Sequence, residues 1–192
     1  DMVLGPFFTW LVYKEGKKSL KFDLIVVILI QVIALFYGVY KIADGRPAWL
    51  VYNVDRFELI KNNEIVIENP KQVQSQFKQP SWFYPQFVAA EFAKDKKQKN
   101  KEMFVEITTG ISIGQRPERY VQLNQAKSKI QQRRISLKEL NEVNNREEVA
   151  NVLARYPQAT AFLPMKASAV DMTVLINHKG EVVKIVDLRP WK

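Results

Sequence analysis

An α+β fold is predicted, with N-terminal transmembrane helices followed by a small domain built from an antiparallel sheet and several helices. Three observations predict it. Residues 24–40, LIVVILIQVIALFYGVY, run without a charge. From residue 46 onward, strand-like runs and helix-start signals alternate over nearly 150 positions. The positive charge is also uneven. The chain has 192 residues and a net charge of +9, of which residues 46–192 carry +8 (24 basic and 16 acidic side chains). About that length suffices to bury one core.

Residues 1–13 come first. MVLGPFFTWLVY, 2–13, is uncharged and apolar but too short to cross a bilayer. It reads as the end of a truncated transmembrane helix, with Trp10 and Tyr13 at the interface and Gly5-Pro6 as a kink. Asp1 is then an ionisable group near mid-membrane, where such groups are costly and point to function. The bland alternative is a solvent-exposed chain end. Residues 14–21 follow as a short basic loop containing Lys14, Lys17, Lys18 and Lys21. Short basic loops stay in the cytoplasm, which puts everything beyond residue 44 on the other side.

The predicted transmembrane helix covers 22–42. At 1.5 Å per residue, about 20 residues cross the ~30 Å hydrocarbon core. A core helix of a soluble protein seldom lacks polar residues on every face, and no small-residue cleavage site follows to mark a signal peptide. Gln31 is the strongly polar residue inside the span. Ala34 and Gly38 form a small-xxx-small pair that permits close helix approach.

Gly45-Arg46-Pro47 opens the domain, 46–192. AWLVYNVDRFELI (48–60) reads as a strand broken near Asn53–Asp55, EIVIE (64–68) as a further short strand, and FVAAEF (87–92) as a strand. The stretch around Pro80, Trp82, Tyr84 and Pro85 is irregular and aromatic. A lysine run, 94–101, leads into a helix around EMFVEITTG. A second helix is expected over LNQAKSKIQQRR. Ser136 with Glu139, and Asn145 with Glu148, are helix-start spacings, and Pro157 ends the helix they introduce. Three strands close the chain: ATAFLPMKA, VDMTVLINH and EVVKIVDL. His178-Lys179-Gly180 joins the last two as a hairpin turn. Alternation in VDMTVLINH predicts one buried face.

Composition excludes several chemistries. With no Cys there is no disulfide framework, thiolate zinc site or cysteine nucleophile. A single His excludes paired-His metal motifs, and His178 sits in a turn, a poor place for a positioned base. No serine has a Gly-x-Ser-x-Gly setting. Gly110 and Gly114 lack the third glycine and the strand-to-helix context of a phosphate loop. Asp55 and Asp187 read as structural carboxylates, Asp187 as a partner for Arg189 or Arg56. The expectation is a protein that is not an enzyme and takes no cofactor or metal. The lysine run reads first as a solvated face, then as a contact for anionic headgroups or an acidic protein surface. Outside the cytoplasm, nucleic acid is not an expected partner.

Five segments together resemble a known family: D-M-V-L-G-P-F-F-T (1–9), V-Y-K-E-G-K-K-S-L-K-F-D (12–23), G-R-P-A-W (45–49), N-V-D-R-F (53–57) and V-D-L-R-P-W (186–191). In order and spacing the chain resembles the type IV pilin accessory proteins, the TfpX/TfpZ and FimB-like group of Gram-negative bacteria, from end to end. Members of that family carry a further N-terminal helix and the start of the next. The resemblance implies a bacterial inner-membrane protein that is not an enzyme, with its C-terminal domain in the periplasm. It would assist stability or assembly of its cognate major pilin by direct binding, as a chaperone, stabiliser or assembly factor. The expected partners are that pilin and inner-membrane lipids; the oligomeric state is open. Candidate contacts are Asp1, Gly5, Pro6, Gln31, Ala34 and Gly38 in the membrane, Asp55, Arg56 and Phe57 at the domain entry, and Arg189, Pro190 and Trp191 at the terminus. A membrane-tethered sensor or ligand-binding domain is the alternative; it predicts a well-formed pocket and an output domain. A pilin-modifying transferase would need convergent acids, a metal site or a phosphate loop.

Overall fold

The structure, a computed structural model, describes residues 5–7, 10, 20–93 and 95–191. The chain divides into two compact units, Asp1–Arg46 and Pro47–Lys192. Asp1 and residues 14–19 of the predicted loop 14–21 lie outside the described residues, and Leu20 and Lys21, expected in that loop, already belong to the first long helix.

In the first unit, α1 (Leu20–Asp44) has 25 residues. It is long and apolar enough to cross a membrane from Lys21 to Asp44, and it fits a membrane anchor. Its large apolar side chains, from Phe22 to Ile42, stand exposed almost all round, as lipid-facing side chains do. One stripe is different: Val27 is buried and Gln31, Ala34 and Gly38 are half-buried. Those positions recur at i+3 and i+4 and so share one face. Gly5, Pro6, Phe7 and Trp10 are helical. A Cβ at Gly5 would lie 2.8 Å from Gln31 Nε2, so the Gln31 amide rests directly on the Gly5 backbone.

The second unit is one mixed sheet with helices. Its strands are β1 (Pro47–Asn53), β2 (Arg56–Lys61), β3 (Gln86–Ala90), β4 (Tyr120–Gln122), β5 (Ile135–Ser136), β6 (Ala161–Lys166), β7 (Met172–Ile176) and β8 (Val182–Val186). The spatial order is β4-β3-β1-β2-β6-β7-β8, and β5 pairs with β6. The predicted α+β class is borne out. The sheet is mostly antiparallel, but β1–β3 and β2–β6 pair in parallel. Both parallel neighbours are reached by long connections, the only route between parallel strands.

Among the described residues this unit has four α-helices: α2 (Lys96–Thr109), α3 (Lys127–Arg133), α4 (Leu140–Val143) and α5 (Arg146–Ala154). The Asp95 side chain caps α2 by accepting from Gln98 N–H, and Gly110 ends it in the left-handed region at φ +73°. Asn145 caps α5 as its spacing predicts. Ser136 caps a short 3-10 turn, Leu137–Glu139, leading into α4. The expected strand at 64–68 is absent. Asn62–Glu64 turns instead, and Val66 N–H donates to Gln115 O at 2.8 Å. Its alternation reflects packing of Ile65 against the core rather than a sheet ladder.

Both faces of β1 are covered. Leu50 and Tyr52 join a cluster with Phe57, Leu163, Val174, Ile176 and α3's Ile130. Trp49 and Val51 face Val73, Phe77, Val88, Ile113 and Tyr120. Trp49 is held edge-on by Phe77 (6.0 Å) and Tyr120 (5.5 Å). β7 is likewise buried on both faces, which corrects the one-sided expectation. Val174 and Ile176 point into the first cluster, while Leu175 packs with Leu140 and Val149 of α4 and α5. The polar alternate residue, Thr173, is buried because its hydroxyl donates to Leu188 O at 2.9 Å.

The β1–β2 turn is strained. Val54 has φ +56°, a left-handed value that a β-branched residue rarely adopts. Asp55 N–H donates to Asn53 O at 2.7 Å and the Tyr52 hydroxyl donates to Val54 O at 2.8 Å, which fixes the turn. Burial pushes the Tyr52 phenol up to about 12. Val54→Gly is expected to raise folding stability by about 1 kcal/mol, read from the urea midpoint.

Candidate functional site

The start of β2, the end of β6 and the start of β7 meet at one end of the sheet. Phe57 pairs with Met165, Glu58 with Lys166, and Met165 with Met172. The chain after β8 runs back past the same end, because Val186 pairs with Thr173. This register brings two distant segments, Asn53–Phe57 and Val186–Trp191, together.

Arg56 Nε lies 2.8 Å from Asp55 Oδ1, and Arg56 Nη2 lies 3.3 Å from Oδ2. The hydrogen bond to Asp55 holds the Arg56 guanidinium above its ordinary pKa. The same guanidinium sits 5.7 Å from the centroid of the Trp191 ring, within cation–π range. Trp191 Nε1 donates to Asp171 Oδ2 at 2.9 Å, and Asp171 Oδ1 accepts from Ala167 N–H at 2.9 Å. The Arg189 guanidinium donates to Asp171 O and to Asp187. Asn144 brackets the Arg189 backbone: Arg189 N–H donates to Asn144 Oδ1 at 2.7 Å and Asn144 Nδ2 donates to Arg189 O at 2.8 Å. Such a segment normally frays, and this one is tied down at Leu188, Arg189 and Trp191.

Of the residues the sequence singled out, Asp55, Arg56, Arg189, Pro190 and Trp191 are half-buried here. Phe57 is not a surface residue. It is fully buried, 5.5 Å from Tyr52 and 5.8 Å from Phe87 between ring centroids, and supports the turn from beneath. Gly5 and Gln31 come together within the first unit, whereas a Cβ at Gly38 would meet nothing within 4 Å. Sequence reasoning missed Asn144 and Asp171. Neither stands in a motif, and each acts by bonding a segment more than 15 positions away. Phe83, nearly fully exposed between exposed Trp82 and Tyr84, was passed over in an aromatic stretch.

A polar cleft of about 340 Å3 adjoins Arg56, lined by Asn53, Asp55, Glu58, Glu106 and Lys166. Glu58 accepts from Asn53 Nδ2 at 3.0 Å and from Ser112 Oγ at 2.6 Å. A Cβ at Gly114 would stand 2.5 Å from Glu58 Oε2, so only glycine allows this approach. Burial, then the charge of Glu58, raises the Glu106 carboxyl above its ordinary pKa. Such a group favours folding below the unfolded carboxyl pKa, and that contribution is lost as pH rises through the raised value. Glu106→Gln is therefore expected to be more stable than the parent near pH 7 and no more stable near pH 3.5, compared by urea midpoints. Among the described residues no group of three His, Asp or Glu side chains is placed to hold a metal ion.

The class is thus an α+β domain preceded by a helix that fits a membrane anchor. Comparison with known proteins narrows this. The chain is 27% identical over 132 residues to the fimbrial assembly protein, serogroup I, of Dichelobacter nodosus, and equally so to the serogroup E1 protein. Both alignments cover 68% of this chain and 51% of those proteins. The protein of serogroups C1 and C2 is 28% identical over 74 residues, 38% of this chain and 56% of that one. The chain thus spans about half the length of these curated relatives. No family model and no solved structure matches it. These distant homologues are consistent with a type IV pilus accessory protein and bear out the resemblance read from the sequence.

Proposed function

We propose that the chain is an inner-membrane accessory factor of type IV pilus biogenesis, not an enzyme, that binds its cognate major pilin and assists its stability or assembly. The likeness to proteins named for fimbrial assembly carries this reading, because it extends over two thirds of the chain. The domain lies in the periplasm by the positive-inside rule, with the basic loop 14–21 in the cytoplasm. Pilins wait in that membrane with an apolar helix and a periplasmic head. Two surfaces suit them. The open ground at Gly38 leaves room for a second helix against α1. The Arg56–Trp191 pair presents an aromatic ring and a guanidinium, residue types that dominate interface energetics, to the head. Asp1 would add a polar contact within the membrane.

Deleting the gene and measuring pilin abundance and surface pili separately tests the role. Lost pilin means stabilisation, and retained pilin without pili means an assembly step. Unchanged pilin and unchanged pili would remove the proposal. The clefts of about 450 and 600 Å3 on the domain are both open to solvent; charged and amide side chains line most of the larger, while Tyr52, Val54 and Phe92 share the smaller with Glu91, Lys99, Lys129 and Arg133, and this openness favours a surface-binding protein over a small-molecule sensor.

A further inference from the structure

Helix α2 is inverted. Its inward face is polar: Glu102 is only 2% exposed, accepts from Ala93 N–H at 3.1 Å and from Gln98 Nε2 at 3.3 Å, and pairs with Arg119. Glu106, one turn on, is half-buried beside it. Its outward face is apolar: Met103 is 43%, Phe104 65% and Ile107 82% exposed. Soluble helices arrange these faces the other way round. The domain holds α2 through the buried Glu102–Arg119 pair, while Met103, Phe104 and Ile107 remain on the outside.

The outward residues form two adjacent stripes at helical spacing: Lys96, Asn100, Met103 and Ile107, then Lys97, Lys101, Phe104 and Thr108. Each begins with lysine and ends apolar or nearly so. Lys96, Lys97 and Lys101 are all exposed. A cationic half and an apolar half on one exposed face match the boundary of an anionic bilayer, where ammonium groups meet phosphates and apolar side chains enter the acyl edge. The domain carries a net +8. Two residues, Gly45 and Arg46, link α1 to β1, so the chain cannot carry the domain far from a membrane that α1 spans.

We propose that α2 is a second, interfacial membrane contact. Met103, Phe104 and Ile107 enter the headgroup boundary of the leaflet facing the domain, and Lys96, Lys97 and Lys101 bind its anionic phospholipid headgroups. The proposal rests on α1 being the membrane anchor. Docking α2 would restrain the domain on the bilayer surface and fix which side faces outward.

The absence of cysteine makes the test direct. Single-cysteine variants of the full chain at Phe104, Ile107, Glu147 (exposed on α5) and Ile33 (within α1) are labelled with an environment-sensitive fluorophore. They are reconstituted into vesicles of phosphatidylethanolamine and phosphatidylglycerol carrying lipid-attached quenchers. Quenching and a blue shift are expected at Phe104→Cys, Ile107→Cys and Ile33→Cys, and neither at Glu147→Cys. Changing Lys96, Lys97 and Lys101 to Gln one at a time, in the Ile107→Cys background, is expected to lower the docked-to-undocked ratio about fivefold each. Quenching at Ile33→Cys without quenching at Phe104→Cys and Ile107→Cys overturns the proposal and leaves the anchor standing. So does shielding that appears at the α2 labels only on adding pilin, which would make the face a protein contact. No quenching at Ile33→Cys overturns the anchor and the proposal together.

Discussion

Asn144→Ala is expected to lower the folding stability of the domain by about 2 kcal/mol, roughly a factor of thirty in the folded ratio. The variant loses three hydrogen bonds: Arg189 N–H to Oδ1, and Nδ2 to Arg189 O and to Leu140 O. It leaves the half-buried Arg189 backbone without its partners, and leaving such groups unmade costs more than the bonds contribute. The loss propagates along the chain. Leu188 is 1% exposed in the cluster with Leu140 and Val149, and its carbonyl accepts from buried Thr173. Trp191, three residues beyond, keeps its place over Arg56 only while this segment is seated. Asn144→Asp retains the acceptor for Arg189 N–H and is expected to fall between the parent and the alanine variant. Denaturant midpoints of the three proteins check the order. A midpoint for Asn144→Ala equal to the parent's would show that the terminus is not held by Asn144.

Trp191→Ala and Arg56→Ala are each expected to weaken pilin binding roughly thirtyfold, the effect of truncating an interface hot spot worth about 2 kcal/mol. Both side chains are part-exposed at one end of the sheet, so neither change is expected to cost more than about 1 kcal/mol in folding. The two residues touch, so the double variant should lose less than the sum of the singles. Equal pilin binding by all three variants would leave the pair as a latch on the terminus and nothing more.

Most of the fold was legible because its signals are local. The charge-free run announced α1, the Asn145 cap announced α5, and Gly180, at φ +74°, announced the last hairpin. What periodicity could not reveal was the sheet order. The parallel ladders β1–β3 and β2–β6 depend on long connections, and no local pattern states which strand a distant one will join. The same limit hid the burial of Thr173. A polar residue in an alternating strand reads as solvent-facing unless its partner, here the carbonyl of Leu188, is known. The EIVIE segment misled for a related reason, since half-buried loop residues can alternate without pairing in a ladder.

The candidate site divides in the same way. Arg56 and Trp191 stood in motifs at the two ends of the domain, and the register of β2, β6 and β7 joined them. Phe57 shared the motif but is core, a distinction that burial alone makes. Asn144 and Asp171 carry no local signature and appear only once the terminus is seen to fold back. Helix α2 gave its composition away in the lysine run, but its inversion depends on which side meets the sheet.

Recovery of pilin with the intact protein decides whether the two bind. The full-length protein is tagged, extracted in mild detergent from membranes of cells making the cognate pilin, and purified beside Arg56→Ala and Trp191→Ala. Pilin is expected to be recovered with the intact protein and largely lost from both variants at equal bait levels. Absence of pilin from the intact protein, or equal recovery from all three, would contradict that expectation.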